Sequence, residues 1–242
     1  MAFENFQSII LFTTLFLSAL TAIFGFTLVH KLFKNREKMR LNNLTLISFS
    51  LIAFGYSCFA FAEMTYFVIY DIFNQTPSAS MPDLYWFFGA ISLFLGFTIF
   101  SIYLYNKHSQ LKKGIVLLLS AGAIMGILLY YVLTTTIMAE GKSPEETFLG
   151  YFYPIASGLI LISSASIFLF FERLDEIEIT LLYLLFANIG IFLSDILYTY
   201  YTFQGVYGSI GALSDTLAAV AYGLCTYAFF SLVMKIKQTA EQ

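Results

Sequence analysis

The sequence predicts an all-α integral membrane protein, a bundle of seven transmembrane helices with its N-terminus outside and its C-terminus in the cytoplasm, organised as a 3+1+3 parallel repeat. Three observations lead there. Only 11% of the 242 residues are charged while 59% are hydrophobic, and mean hydropathy is +0.80. A soluble domain keeps roughly a quarter of its residues charged to cover its surface. Seven continuously apolar stretches each reach the ~20 residues that a helix needs to cross the hydrocarbon core. Eleven of the twelve Lys and Arg fall on one side of the bundle those stretches define, and the positive-inside rule makes that side cytoplasmic.

The first span is Phe6 to Leu32. Met1-Ala-Phe-Glu-Asn-Phe6 lacks the basic start of a signal peptide, and the run is too long for a signal h-region, so a retained helix is expected. The second span, Leu44 to Ile72, carries Glu63-Met-Thr-Tyr66, and the third, Leu84 to Tyr105, follows Pro82-Asp83. The fourth, Ile115 to Met138, contains Gly122-x-x-x-Gly126; small residues at that spacing allow close helix contact, and packing within the bundle is expected ahead of contact between protomers. The fifth is Phe148 to Phe171, with Tyr153-Pro154 at its opening. The sixth, Ile179 to Thr202, carries Asp195-Ile-Leu-Tyr198, and the seventh, Ile210 to Met234, carries Asp215 in its first turns. Membrane strands are excluded, because a barrel would show short alternating segments.

Loop charge sets the orientation. The first connection holds Lys31, Lys34, Arg36, Lys38 and Arg40; the third holds Lys107, Lys112 and Lys113; Arg173 lies in the fifth; Lys235 and Lys237 follow the last span. Lys142 alone lies on the other side. The acids Glu172, Asp175, Glu176 and Glu178 share the cytoplasmic face and weigh little in the rule. The expected localisation is therefore the cell membrane, multi-pass, with one domain over residues 1–242. A net charge of −3 gives no reason to expect nucleic acid.

A repeat is visible. Glu63 to Asp83 is 20 residues, Asp195 to Asp215 is also 20, and one shift of 132 superposes both acid pairs and Tyr66 on Tyr198. Repeat A covers about residues 6–105, a linker helix about 115–138, and repeat B about 148–234.

The acids define the candidate site. Glu63 lies about nine residues from the outer end of its span, ~13 Å at 1.5 Å per residue, and Asp195 about seven. Asp83 and Asp215 lie in first turns. Helical spacing puts Tyr56, Glu63, Tyr66 and Tyr70 on one face; Asn188, Asp195, Tyr198 and Thr202 on another; Asp215, Ala219, Tyr222 and Thr226 on a third; and Asp83, Trp86 and Ala90 on a fourth. Lipid cannot hydrogen-bond such stripes, so they should face inward. The expected ligand or cation site is Glu63, Asp83, Asp195, Asp215, Tyr66, Tyr198, Trp86, Asn188 and Tyr222. Each acid also has a plainer reading: Asp83 and Asp215 as partners of a helix dipole or cap, Glu63 and Asp195 as carboxyls hydrogen-bonded to tyrosine. Tyr200, Tyr201 and Tyr207 read as an interfacial belt. A cation, a proton or an amine-bearing ligand suits this cavity, with aromatic faces to hold an organic cation; oxygen ligands would favour a hard metal over copper or zinc, and the metal is left open. Cys58 and Cys225 sit in apolar runs and read as buried thiols.

The run Asp215-Thr-Leu-Ala-Ala219-Val-Ala-Tyr-Gly223 resembles the microbial opsin segment in which a lysine, four residues after an aspartate, carries retinal. Here that position is Ala219, so no covalent retinal, and no other cofactor, is expected. Tyr153-Pro154, Asp195-x-x-Tyr198 and Gly205-x-Tyr207 before Asp215 resemble the seven-helix membrane sensor modules of prokaryotic histidine kinases and diguanylate cyclases, over Tyr151 to Met234. An acid often follows the Tyr-Pro in those modules; Ala156, Ser157 and Gly158 stand there instead. Only Lys235 to Gln242 follow the last span, so the resemblance implies signalling through a separate cytoplasmic or membrane partner. A sensor or receptor is thus expected, with a 3+1+3 transporter or an accessory subunit as alternatives. No enzyme is expected, since His30 and His108 lie on the cytoplasmic side, far from the acids.

Overall fold

In a computed structural model, residues 2–37, 41–73, 80–107, 143–168, 176–205 and 208–241 are described, with 122–123, 125–127, 129–130 and 133–134 of the fourth predicted span. The helices are α1 (Ala2–Lys34), α2 (Asn43–Tyr66), α3 (Met81–Lys107), α4 (Pro144–Ile167), α5 (Glu176–Gln204) and α6 (Gly208–Glu241). They fall on the first three and last three predicted spans. By length and composition, six helices among the described residues can cross a membrane, which fits a multi-pass membrane protein. The fourth predicted span lies mostly outside the described residues; those described within it are helical.

Two departures from a plain helix have local reasons. α4 starts four residues early, because Ser143 and Glu146 form a capping box: Glu146 N–H donates to Ser143 Oγ (3.2 Å) and Ser143 N–H to Glu146 Oε2 (3.0 Å). Tyr153-Pro154 therefore lies inside the helix rather than opening it. Pro154 has no N–H, which leaves the carbonyl of Gly150 without its helical donor. Thr199 on α5 supplies one, its hydroxyl donating at 3.4 Å. α2 continues as a π-helical turn, Phe67–Ile72, directly after Glu63 and Tyr66. Turns of this kind are inserted most often beside functional sites.

The helices pack in a ring in chain order, α1 on α2, α2 on α3, α3 on α4, α4 on α5, α5 on α6, and α6 back on α1. α1 shows how hydropathy misleads in lipid. Its exposed side chains include Ile9, Phe12, Phe16, Ile23, Phe26 and Phe33, while Thr14, Ser18, Thr21, Leu28 and Leu32 are buried. Because lipid tails are as apolar as Leu, small and hydroxyl residues mark the interior face.

Hydroxyls tie the other seams. Thr21 on α1 donates to the Tyr222 carbonyl (3.1 Å), and Thr226 on α6 to the Leu17 carbonyl (3.0 Å). Ser194 on α5 and Ser214 on α6 donate to each other's carbonyls, both at 2.9 Å. Ser101 on α3 donates to the Ser163 carbonyl on α4 (3.2 Å). The α2–α3 seam is made by glycine. A Cβ on Gly89 would lie 2.5 Å from Phe59 Cδ1 and 2.9 Å from the Gly55 carbonyl oxygen, and one on Gly55 would lie 2.9 Å from the Gly89 oxygen. The half of the bundle predicted to face the cytoplasm is a closed apolar core around Phe49, Ile52, Phe97, Leu184, Phe229 and Leu232. The expected internal packing at Gly122 and Gly126 is not seen among the described residues, where a Cβ on either meets nothing within 4 Å. The linker instead places Leu129 and Leu133 against Tyr151 and Phe203.

Gly89→Ala should therefore destabilise by about 1–3 kcal/mol through overpacking, read as a lower melting temperature in detergent. Gly122→Ala should leave melting unchanged or raise it slightly, by up to ~1 kcal/mol of helix propensity.

Candidate functional site

Above the closed core, all six helices surround a cavity of about 260 Å³. Phe59, Glu63 and Tyr66 come from α2, and Trp86 and Ala90 from α3. Phe152, Tyr153, Ala156, Ser157 and Ile160 come from α4; Ile191, Ser194, Asp195, Tyr198 and Tyr201 from α5; Ser214, Asp215, Ala218 and Tyr222 from α6; Leu11 and Thr14 from α1. On each helix these residues recur at three or four, the spacing that keeps side chains on one face.

Seven of the nine expected residues line the cavity: Glu63, Tyr66, Trp86, Asp195, Tyr198, Asp215 and Tyr222. Tyr222 donates its hydroxyl to Glu63 Oε1 at 3.0 Å, which ties α6 to α2. Ser157 lies beside the Asp195 carboxyl, while its hydroxyl donates to the Tyr153 carbonyl at 2.9 Å. Glu63 is close enough to Asp195 and to Asp215 to interact electrostatically with both. None of the described lining residues is basic. Adjacent carboxylates repel more strongly where water is excluded, and a proton or a bound cation offsets that repulsion.

One wall is a continuous run of aromatic rings. Tyr66 lies 5.9 Å from Trp86, Trp86 5.7 Å from Tyr153 and edge-on to it, Tyr153 6.1 Å from Tyr198, and Tyr198 5.3 Å from Tyr201. Edge-to-face contacts of this kind fix ring orientation. The wall leaves π faces and hydroxyls, rather than aliphatic carbon, beside the acids.

Asp83 and Asn188 stand apart from the cavity. Asp83 Oδ2 accepts from the backbone N–H of Ser80 at 2.7 Å and from its hydroxyl at 3.2 Å, capping α3. Its Oδ1 accepts from the Tyr153 hydroxyl. Asp83 thus holds a ring of the aromatic wall in place without reaching the cavity, because capping geometry points a first-turn carboxylate back at its own helix start. Asn188 lies deeper, buried, and accepts from the Tyr56 hydroxyl at 2.9 Å; its buried Nδ2 has no hydrogen-bond partner among the described residues. Two finer expectations also change. Ala218, not Ala219, lines the cavity, since it sits four residues before Tyr222, and Tyr201 faces the cavity although it reads as a belt residue. Tyr207 lies outside the described residues, and the side chain of Tyr70 with it.

Sequence reasoning missed Tyr153 and Ser157. Tyr153 was legible only as half of a Tyr-Pro pair, and a serine in an apolar helix is most often bonded to its own backbone. Thr14 gave no signal, because α1 reads as uniformly apolar. Among the described residues no three His, Cys, Asp or Glu side chains come together closely enough to hold a metal ion. Cys58 and Cys225 are buried free thiols, and His30 is exposed; His108 lies outside the described residues.

Comparison with known proteins finds no family model that matches the chain, and no curated protein or solved structure similar to it.

Trp86 is the only tryptophan of the chain, so its emission reports on the cavity wall. Asp83→Ala removes the acceptor that holds Tyr153 and should shift that emission to the red as water reaches the indole. It should destabilise by about 1–3 kcal/mol, the range for orphaning a buried donor. Glu145→Ala, at an exposed position in the first turn of α4, should leave the emission unchanged.

Proposed function

We propose that this chain is a receptor-like or sensor-like membrane protein that binds a small organic cation in its acidic, aromatic cavity and passes the event to a separate protein partner. The observation that carries this reading is the composition of the cavity. Glu63, Asp195 and Asp215 converge, no basic residue is among them, and a wall of tyrosine and tryptophan rings stands beside them. Carboxylates supply the charge, and each aromatic face adds about 0.5–2 kcal/mol for an ammonium group. A hard metal ion suits the site less well, since calcium takes 6–8 oxygen ligands and the described acids do not cluster as a metal site.

The topology belongs to the same reading. Seven spans, with the N-terminus out and the C-terminus in, follow from loop charge and from the apolar run at residues 115–138, and they set the cavity toward the outer face. The 3+1+3 repeat is supported by one hydrogen bond: Tyr56 and Asn188 meet although they are 132 residues apart, the same shift that relates Glu63 to Asp195. Equivalent positions meet where a pseudo-twofold axis passes between repeats. A ring of six helices has a twofold exchange by construction; contact between equivalent residues is what a true repeat adds. An apolar core lies beneath the cavity, as befits a binding site whose occupancy is read from outside.

A small transporter is the second reading, favoured by the position of Glu63 and Asp195 between the two repeats, where rocking of one half against the other would expose them to alternate sides.

Tetramethylammonium added to the protein in lipid nanodiscs should change Trp86 emission saturably. Glu63→Gln and Asp195→Asn should each weaken that response about tenfold or more, the scale of one charge-assisted contact. No response at millimolar concentration would count against the cation site. In sealed vesicles, tetramethylammonium uptake lost in the same variants would decide for transport; binding without uptake would decide for the receptor.

A further inference from the structure

A second concavity, about 710 Å³, lies between α3 and α4 at the same end of the bundle. Met81, Leu84, Phe87, Phe148, Leu149 and Phe152 pave it, and Asp83 and Glu145 stand among its polar residues. It is a lateral groove: Leu84, Phe87 and Phe148 are exposed on the outside of the ring, where a membrane helix meets hydrocarbon. Among the described residues, Phe152 alone lines both this groove and the central cavity. Its ring stacks on Phe148 at 6.0 Å, tilts against Phe87 at 5.3 Å and packs edge-on to Tyr153 at 5.6 Å. The partition between the acidic cavity and the lipid-facing groove is thus a single phenylalanine ring and its aromatic neighbours.

That continuity says what kind of cation fits. We infer that the ligand is a single-chain amphiphile with a cationic head: the head sits between Glu63 and Asp195, and the alkyl chain passes Phe152 into the groove between α3 and α4. The inference rests on the cation site proposed above and adds the tail and its route. A head group alone would need only the cavity. A groove open to lipid and joined to that cavity through one aromatic ring gives a chain a path lined mainly by apolar side chains. Chemistry agrees at each end, with carboxylates and π faces for the ammonium group and phenylalanine and leucine side chains for the methylenes, which gain nothing from polar surroundings. Such a ligand can reach the site from within the outer leaflet.

The probes are alkyltrimethylammonium ions from tetramethyl- through butyl- and octyl- to dodecyltrimethylammonium, titrated into nanodiscs of zwitterionic lipid and read by Trp86 emission. Partition into the disc is measured with the Glu63→Gln/Asp195→Asn double variant, which keeps the bilayer and loses the head-group site. Affinity in the wild type should rise with chain length, by up to about fourfold per methylene that leaves water. In Leu84→Gln and in Leu149→Gln, both outside the cavity, tetramethylammonium should bind as in the wild type while the gain from the longer chains falls by tenfold or more. Equal affinity along the whole series, or a chain-length gain that survives in both variants, would overturn the groove and would mean that a bilayer lipid fills it; the cation site would still stand. No response to any member of the series, tetramethylammonium included, would overturn the cation site and this inference together.

Discussion

A carboxyl group cannot be left facing hydrocarbon, and most of the helix arrangement follows from where Glu63 and Asp195 must therefore point. Each sits within a span, too far from the helix end to reach water along its own side chain, so each turns inward: Glu63 accepts from the Tyr222 hydroxyl, and Asp195 lies beside Ser157. Those two contacts join α2 to α6 and α5 to α4. Once they are made, the faces that carry Phe59, Tyr66, Ile191 and Tyr198 are turned inward as well, because helical periodicity carries them along. The cavity is the space those side chains leave.

Close backbone contact and hydroxyl pairing then hold the ring around it. Burial of apolar surface contributes little between helices in lipid, so the seams depend on small residues and on hydrogen bonds. Gly55 and Gly89 bring α2 and α3 together with no room for a methyl group. The serine pair at 194 and 214 satisfies both hydroxyls and engages both carbonyls at once. Pro154 illustrates the same economy. The carbonyl it strands on Gly150 would be costly in hydrocarbon, and Thr199 on the next helix answers it. A kink-forming residue has become an interhelical contact.

Asymmetry along the membrane normal gives the cavity its meaning. One half of the bundle is packed with leucine and phenylalanine and is closed. The other half spends its volume on tyrosines, a tryptophan and three acids. Asp83 belongs to this second half in a supporting role. By capping α3 and accepting from Tyr153, it fixes the aromatic wall from outside, and the same ring-to-ring contacts carry through Phe152 to the lateral groove. Wall, partition and groove are mechanically one unit, so a molecule that displaced Phe152 would be felt at Trp86.

By itself the sequence determined the helical membrane architecture, the place of each described helix in the chain, and seven of the residues that line the cavity, because the bilayer allows only long apolar helices and makes each intramembrane acid point inward. Spacing alone could not say that Asp83 turns back on its own helix or that Asn188 lies below the cavity with Tyr56, since both share a face with residues that do line it. Tyr153, Ser157 and Tyr201 were chosen by which helix stands next to which, and periodicity is silent on neighbours. The lateral groove was equally invisible, because Leu84, Phe87, Phe148 and Phe152 read as ordinary lipid-facing residues in two separate helices. Only the packing of α3 against α4 turns them into one surface, since a groove is a property of the distance between helices and not of either one.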